Sequence, residues 1–265
     1  MVLLPQWQQT PHPVIGMLHL PSLPGAPGSQ KSLNQIQNDV LRDAALLAEG
    51  GVNGLMMENF GDVPFYPGRV PAHTVAYMTT IAAEVKRQFD LPLGINVLRN
   101  DGLSALAIAH ATGSEYIRVN VLSGARVTDQ GILQGIAHDL LRYKAELDAD
   151  VKILADVNVK HSAPVGPYPL EDEVEDTMER ALADGIVVSG TGTGKSVNHD
   201  ELHQVRGFAG DHPIFLGSGV SADNIQSFLP HATGFIVGTS LKVDGVSTNP
   251  VDLNQVQALM AALNG

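Results

Sequence analysis

Short apolar runs recur along the chain, and each is followed by a stretch whose apolar positions repeat every three to four residues. A run of four to six apolar residues fits a buried strand, and the longer period fits a helix with one buried face. The first pair is a strand over Val14–His19 and, after a Pro/Gly-rich loop from Pro21 to Pro27, a helix over Leu33–Glu49. Ser32 and Gln35 have capping-box spacing at its start, Ile36, Val40, Ala44 and Leu47 form its stripe, and Gly50-Gly51 stops it. Seven more pairs follow at about thirty residues each, the size of a βα unit. Strands are expected at 54–58, 93–96, 116–120, 151–157, 185–189, 213–216 and 234–237. Helices are expected at 73–89, 103–111, 131–147, 170–183 and 200–208, then from a Ser221 cap to Pro230, and lastly after Asn249-Pro250.

Eight βα units predict a parallel sheet closed on itself, a single (β/α)8 TIM barrel filling residues 1–265. Six such units also build a doubly wound open sheet, so the count alone does not fix closure. Closure is favoured by the absence of a further domain and by glycine-hydroxyl turns after the last two strands, Gly217-Ser218-Gly219 and Gly238-Thr239-Ser240. In a barrel these turns lie side by side. Their glycines let backbone N–H groups approach an anion, and the hydroxyls of Ser218, Thr239 and Ser240 add donors, so the predicted ligand is a phosphorylated small molecule. Tight βα turns with no ligand are the plainer alternative.

Strand alternation places the remaining candidates. Inward-facing residues at strand C-termini meet at the mouth, which selects His19, Glu58, Asn96, Arg118, Asn120, Asp156 and Lys160, with His161 beside them. A buried polar tip on an apolar strand costs about 1–3 kcal/mol unless it is paired. Such tips therefore act on a ligand or pair with one another. In the first case Asp156, Lys160, Glu58 and His19 are candidate proton-transfer groups, and Asn96, Arg118, Asn120 and His161 are candidate ligand-orienting groups. Glu58 and Asp156 are also hard oxygen donors suited to Mg²⁺, but two carboxylates without a cluster assign no metal, and no cofactor is assigned.

Two motifs are set aside. Ser189-Gly-Thr-Gly-Thr-Gly-Lys195-Ser196 lacks the first glycine of a phosphate-binding P-loop and is read as the turn after the sixth strand, with Thr191 and Thr193 near the mouth. His199-Asp-Glu-Leu-His203 lacks the glutamate that a zinc-protease helix carries directly after its first histidine, and reads as a solvated helix face. The segment Gly61–Gly68, rich in proline and aromatic residues, is a lid, a contact surface or a rigid loop.

Composition narrows the function classes. A net charge of −12 with no long basic run opposes attraction to nucleic acid or to an anionic lipid surface. The absence of cysteine rules out disulfides, thiol catalysis and cysteine-ligated metals. No signal-peptide pattern or long apolar run is present, so a soluble, cytoplasmic protein is expected. Pairing of two barrels through outer helices stays open.

Several blocks, in order, carry a resemblance: Ile15-Gly-Met-Leu-His19-Leu-Pro21, Glu58-Asn-Phe60, Gly94-Ile-Asn-Val-Leu-Arg99-Asn-Asp101, Ile117-Arg-Val-Asn-Val121, Ile153-Leu-Ala-Asp-Val157 with Lys160-His161, and Ala183-Asp-Gly185. Together, over about Val14 to Leu241, they resemble the BtpA/SgcQ family. The resemblance implies a barrel of the ribulose-phosphate-binding kind. For the cyanobacterial branch it also implies a role in biogenesis or stability of photosystem I, by a protein peripheral to the thylakoid membrane and working with a membrane-complex partner. The competing reading is a phosphosugar- or nucleoside-processing enzyme of isomerase, lyase or nucleosidase type, unconnected with photosynthesis.

Overall fold

The structure, a computed structural model, describes residues 2–190 and 197–265. The chain opens with β1 (Val14–His19), α1 (Leu33–Glu49), β2 (Gly54–Glu58), α2 (Ala72–Gln88), β3 (Leu93–Asn96), α3 (Gly102–Thr112) and β4 (Tyr116–Val119). Next come β5 (Ala125–Thr128), β6 (Gly131–Gln134), α4 (Ala137–Glu146), β7 (Lys152–Val157), β8 (Ser162–Pro164), α5 (Leu170–Glu175) and β9 (Gly185–Val188). The last units are α6 (His199–Ala209), β10 (Ile214–Leu216), α7 (Ile225–Phe228), β11 (Gly234–Val237) and α8 (Leu253–Asn264). Eight parallel strands close into a barrel in the order β1-β2-β3-β4-β7-β9-β10-β11, with β11 pairing back onto β1.

Local chemistry sets the ends of several elements. Ser32 and Gln35 form the expected reciprocal cap of α1, and Gly51 leaves the helix at φ +90. Asp101 caps α3 by accepting from Ser104 N, and Gly113 ends that helix in the left-handed region.

The lumen is filled by Ile15, Met17, Met56, Tyr116, Leu154 and Phe215, together with Val187 and Ile236. It is plugged at the N-terminal end of the strands by Leu3, Leu4 and Trp7, the last donating its indole N–H to Asn53 O at 2.8 Å. The two large rings need space that neighbouring strands surrender. A Cβ on Gly94 would stand 2.1 Å from the Tyr116 ring, and one on Gly234 would stand 2.5 Å from the Phe215 ring.

Four stretches differ from the sequence reading. The fourth helix does not begin at Gly131: residues 125–134 form a hairpin whose turn uses Gly131 at φ +99, and α4 starts at Ala137. With β8 this hairpin makes an antiparallel sheet, β6-β5-β8, anchored by buried Arg126 on Glu173 at 3.0 Å. Ser221 caps no helix, since α7 is a single turn beginning after Asn224. The last helix is capped by Asp252 rather than opened by Pro250, because Val251 forms a bridge with Lys242 first. The fifth helix ends earlier than expected, closing through a wide turn in which Ala181 N bonds to Asp176 O.

Candidate functional site

Register aligns the polar tips. Cα partners run His19 to Glu58, Glu58 to Asn96, and Asn96 to Arg118 across β1, β2, β3 and β4, so four polar side chains share one row at the mouth. Above this row lies a cavity of about 260 Å³. His19, Glu58, Arg118 and Lys160 line one side, and Gly217-Ser218-Gly219 and Gly238-Thr239-Ser240 line the other. Asn96, Asn120, Asp156 and His161 do not line it. His161 is exposed, at φ 58.

Asp156 stands behind the cavity wall. Its carboxylate accepts from Arg118 Nε at 3.0 Å and Nη2 at 2.7 Å, from Asn120 Nδ2 at 2.6 Å and from Ser189 Oγ at 3.3 Å. Both its oxygens are occupied, and its side chain has no exposed surface. For Arg118 and Asp156, then, mutual pairing describes what is found. The bidentate clamp locks the guanidinium, and Arg118 borders the cavity as an oriented cation. Gly217 makes room for it: a Cβ there would meet Arg118 Nη2 at 3.1 Å and Ser189 Oγ at 2.9 Å.

Glu58 and Lys160 contrast with that pair. Among the described residues neither has an ion-pair partner within 4 Å, although both border the same cavity. Burial raises the Glu58 carboxyl above its ordinary pKa against the pull of the Arg118 and Lys160 cations. Burial lowers the Lys160 ammonium, helped by the Arg118 charge. The two shifts bring a carboxylic acid and an amine toward neutral forms, as acid–base sites do.

His19 packs flat on Phe60, with ring centroids 4.5 Å apart, and its Nδ1 lies 3.0 Å from Ser247 O. A carbonyl only accepts, so Nδ1 carries the proton. Burial, with the nearby Lys242 cation, lowers the ring's pKa to about 4, which leaves Nε2 a bare acceptor at neutral pH. Gly238 admits the ring, since a Cβ there would lie 2.9 Å from His19 Cε1.

Two hydroxyls of the glycine turns serve the loops. Ser218 Oγ accepts from Gly190 N at 2.7 Å, and Ser240 Oγ donates to Val220 O at 2.6 Å. Donors toward the cavity come instead from the main chain: the amides of Gly219, Val220, Thr239 and Ser240 bond to no described acceptor. Asn224 shapes this loop by accepting from Ser221 N at 2.8 Å and donating to Gly219 O at 2.9 Å. The absent Ser221-capped helix is thus replaced by an Asn-stapled turn.

Asn96 and Asn120 each donate once, to Arg118 O at 3.0 Å and to Asp156, and each leaves a buried Oδ1 without a partner among the described residues. Sequence reasoning missed Ser189, Phe60, Arg99 and Asn224. Ser189 lies two residues beyond the lumen-facing Val187, so the same alternation points to it. The others sit on loops, where alternation has no force. The expected Thr191 and Thr193 lie outside the described residues.

The donor set does not suit a divalent cation: Glu58 is the lone carboxylate at the cavity, Asp156 is spent on Arg118, and no group of three candidate ligands occurs among the described residues. His199 stacks on Phe228 at 4.5 Å and His203 meets His231 edge-on at 5.0 Å. Among the described residues no helix is long and apolar enough to cross a membrane.

Comparison with known proteins places the chain. It is 46% identical over 96% of its length to "Photosystem I biogenesis protein BtpA" of Synechocystis, covering 89% of that protein. It is 45% identical over 94% of each chain to an uncharacterised protein of Thermococcus kodakarensis. In structure it is similar to phosphoribosyl anthranilate isomerase from Thermus thermophilus, with a TM-score of 0.58 at 11% identity over 95% of this chain and 98% of that one, a likeness of fold alone. The model of the BtpA family matches residues 10–265, and the chain belongs to that family.

Proposed function

We propose that the barrel mouth binds a small phosphorylated metabolite and carries out proton-transfer chemistry on it. The observation that supports this reading is a single juxtaposition. Four main-chain amides without acceptors border the same 260 Å³ cavity as an acid and an amine without ion-pair partners. The amides of Gly219, Val220, Thr239 and Ser240 hold the phosphate, as backbone nests do. Arg118, fixed by Asp156, contributes the counter-charge and orients the ligand. Glu58 and Lys160 exchange protons with it, and His19 Nε2 accepts a hydrogen bond from a ligand hydroxyl. Asn96 and Asn120 hold the wall behind. The cavity lies below the range of about 300–1,000 Å³ usual for drug-sized ligands, which favours a compact metabolite.

Thermal unfolding with a panel of phosphosugars, nucleoside monophosphates and inorganic phosphate tests this. A ligand that binds only the folded state at a hundred times its Kd adds about 2.7 kcal/mol of stability. The expected result is a rise in Tm with at least one phosphorylated compound, lost in Arg118→Met. A flat response to the whole panel overturns the reading.

A second reading rests on the Synechocystis relative: a part in biogenesis or stability of photosystem I, exercised at the periphery of the thylakoid or cytoplasmic membrane through a membrane-complex partner. The relative of nearly equal identity from Thermococcus kodakarensis is uncharacterised, so this reading is supported by one named protein alone among the relatives compared. Deletion of the gene in its host separates the readings. Unchanged photosystem content, or a host that has no photosystem, removes the second.

A further inference from the structure

Lys160 reaches the cavity by an irregular path that the chain holds at every step. Strand β7 ends at Val157, and Asn158 and His161 then take left-handed conformations at φ 45 and φ 58. Non-glycine residues adopt this region at a cost, and it persists where surrounding contacts enforce it. At Asn158 those contacts are present. Asn158 N donates to Glu173 Oε1 at 2.9 Å, Asn158 Oδ1 accepts from Arg126 Nη2 at 3.0 Å, and Asn158 Nδ2 donates to Glu201 at 2.8 Å. Val159 is buried with Val121 and Leu133, beneath the hairpin. Arg99 Nη2 donates to Lys160 O at 2.7 Å. The side chain so delivered lines the cavity with no counter-ion within 4 Å among the described residues, beside two guanidinium groups, with the Glu58 carboxyl bordering the same space.

We propose that Lys160 is a covalent nucleophile, forming an imine with the carbonyl group of a phosphorylated aldehyde or ketone, with Glu58 as the acid that expels water. This rests on the phosphate-site reading and names the substrate class. The Nζ lone pair attacks the carbonyl carbon, forming the C–N bond while the C=O pair moves to oxygen, which takes up a proton from the amine. Glu58 protonates the resulting hydroxyl, the C–O bond breaks, water leaves, and a protonated imine remains opposite a Glu58 carboxylate. Hydrogens and charge balance, and no oxidant, reductant or metal is consumed. The lowered ammonium and the raised carboxyl support it, since at neutral pH they increase the fractions of free amine and protonated acid that this step uses. An ion-paired structural lysine would instead stay charged and unreactive.

The test is reductive trapping on the full chain, with glycolaldehyde phosphate and dihydroxyacetone phosphate as probes and cyanoborohydride as reductant. The expected product is a peptide containing Lys160 that gains the mass of the probe less one oxygen atom, in preference to the other lysines. Lys160→Arg, which keeps the cation and the fold, abolishes the adduct, and Glu58→Gln slows its formation on the order of 100-fold. Competing inorganic phosphate suppresses trapping at Lys160 and leaves surface lysines unaffected. Probes that raise the Tm but leave Lys160 unmodified overturn the imine while the phosphate site stands. Labelling spread evenly over surface lysines overturns it as well. Failure of every phosphorylated compound to raise the Tm removes the phosphate site, and the inference with it.

Discussion

The ammonium of Lys242, just past the last barrel strand, ends 2.9 Å from the carboxylate of Asp43 on α1, 199 residues earlier in the chain. The lysine side chain is 1% exposed and the aspartate 11%. Asp43 also accepts from Val251 N at 3.3 Å, so one carboxylate ties the first helix to the segment that enters the last one. Removing one partner of a buried pair costs about 3–5 kcal/mol when the other charge is left uncompensated, and here Arg42 Nη2, 3.2 Å from Asp43, offsets part of that cost. Lys242→Met is therefore expected to lower the urea midpoint by the equivalent of about 3 kcal/mol at unchanged m-value, and Asp43→Asn in the same background to recover part of the loss. A Lys242→Met midpoint matching the parent would show that the pair contributes nothing net.

His19 gives stability a pH dependence whose sign follows from its depressed pKa. Burial lowers the ring from 6.5 to about 4 in the folded state, helped by the Lys242, Lys160 and Arg118 cations. Between these values the unfolded chain binds a proton that the folded one does not, so stability is full above pH 6.5 and is lost as pH falls through about 4. The slope is at most about 1.4 kcal/mol per pH unit. Unfolding free energies of the parent and His19→Gln, measured from pH 7.5 to 4.5, are expected to converge or cross as pH falls, because the variant lacks this term. Parallel profiles would place the His19 pKa near its ordinary value.

The barrel is legible because apolar runs of strand length alternate with a 3.6-residue period, and strand alternation carries His19, Glu58 and Arg118 to the mouth, where they line the cavity. Where the chain leaves a regular strand the same rule loses force. Period-two alternation carried on from β7 would set Asn158 on the face of Asp156, yet its left-handed turn exposes it and clamps it to Arg126 and Glu173. The helix expected from Gly131 fails because Ala125-Arg-Val-Thr128 and Gly131-Ile-Leu-Gln134 pair as a hairpin across Asp129-Gln130, a pattern of period two at the start of a stretch with the longer period. Sequence shows the residue type of Asp156 and not its occupancy; in the structure four hydrogen bonds engage both its oxygens, two of them from Arg118. Arg99, Asn224 and Lys242 act from loops, through partners far away in sequence.

That difference between Asp156 and Glu58 can be measured. Asp156→Asn keeps the shape but weakens the clamp, so ligand affinity is expected to fall by about 1.5–3 kcal/mol, the range for hydrogen bonds to charged groups. The pH dependence of cyanoborohydride trapping should be unmoved, since Asp156 touches no ligand. Glu58→Gln should leave affinity within a few-fold and remove the alkaline limb of the trapping profile, where the raised carboxyl loses its proton. An Asp156→Asn variant that binds normally but loses that limb would reverse the two assignments.

Asn224 isolates the anion cradle from the chemistry beneath it. Its side chain joins Ser221 N and Gly219 O, holding the turn that presents the Gly219 and Val220 amides, and Gly219 itself sits at φ 69. Asn224→Ala removes both contacts and frees the turn to rotate its donors out of register. Since each hydrogen bond contributes about 1 kcal/mol net, phosphate affinity by calorimetry is expected to weaken about ten-fold or more. Ligands without a phosphate should be unaffected, because Arg118 and Lys160 are held from the opposite side by Asp156 and Arg99. Equal loss for phosphorylated and unphosphorylated compounds would mean that the turn shapes the whole cavity rather than one pole of it.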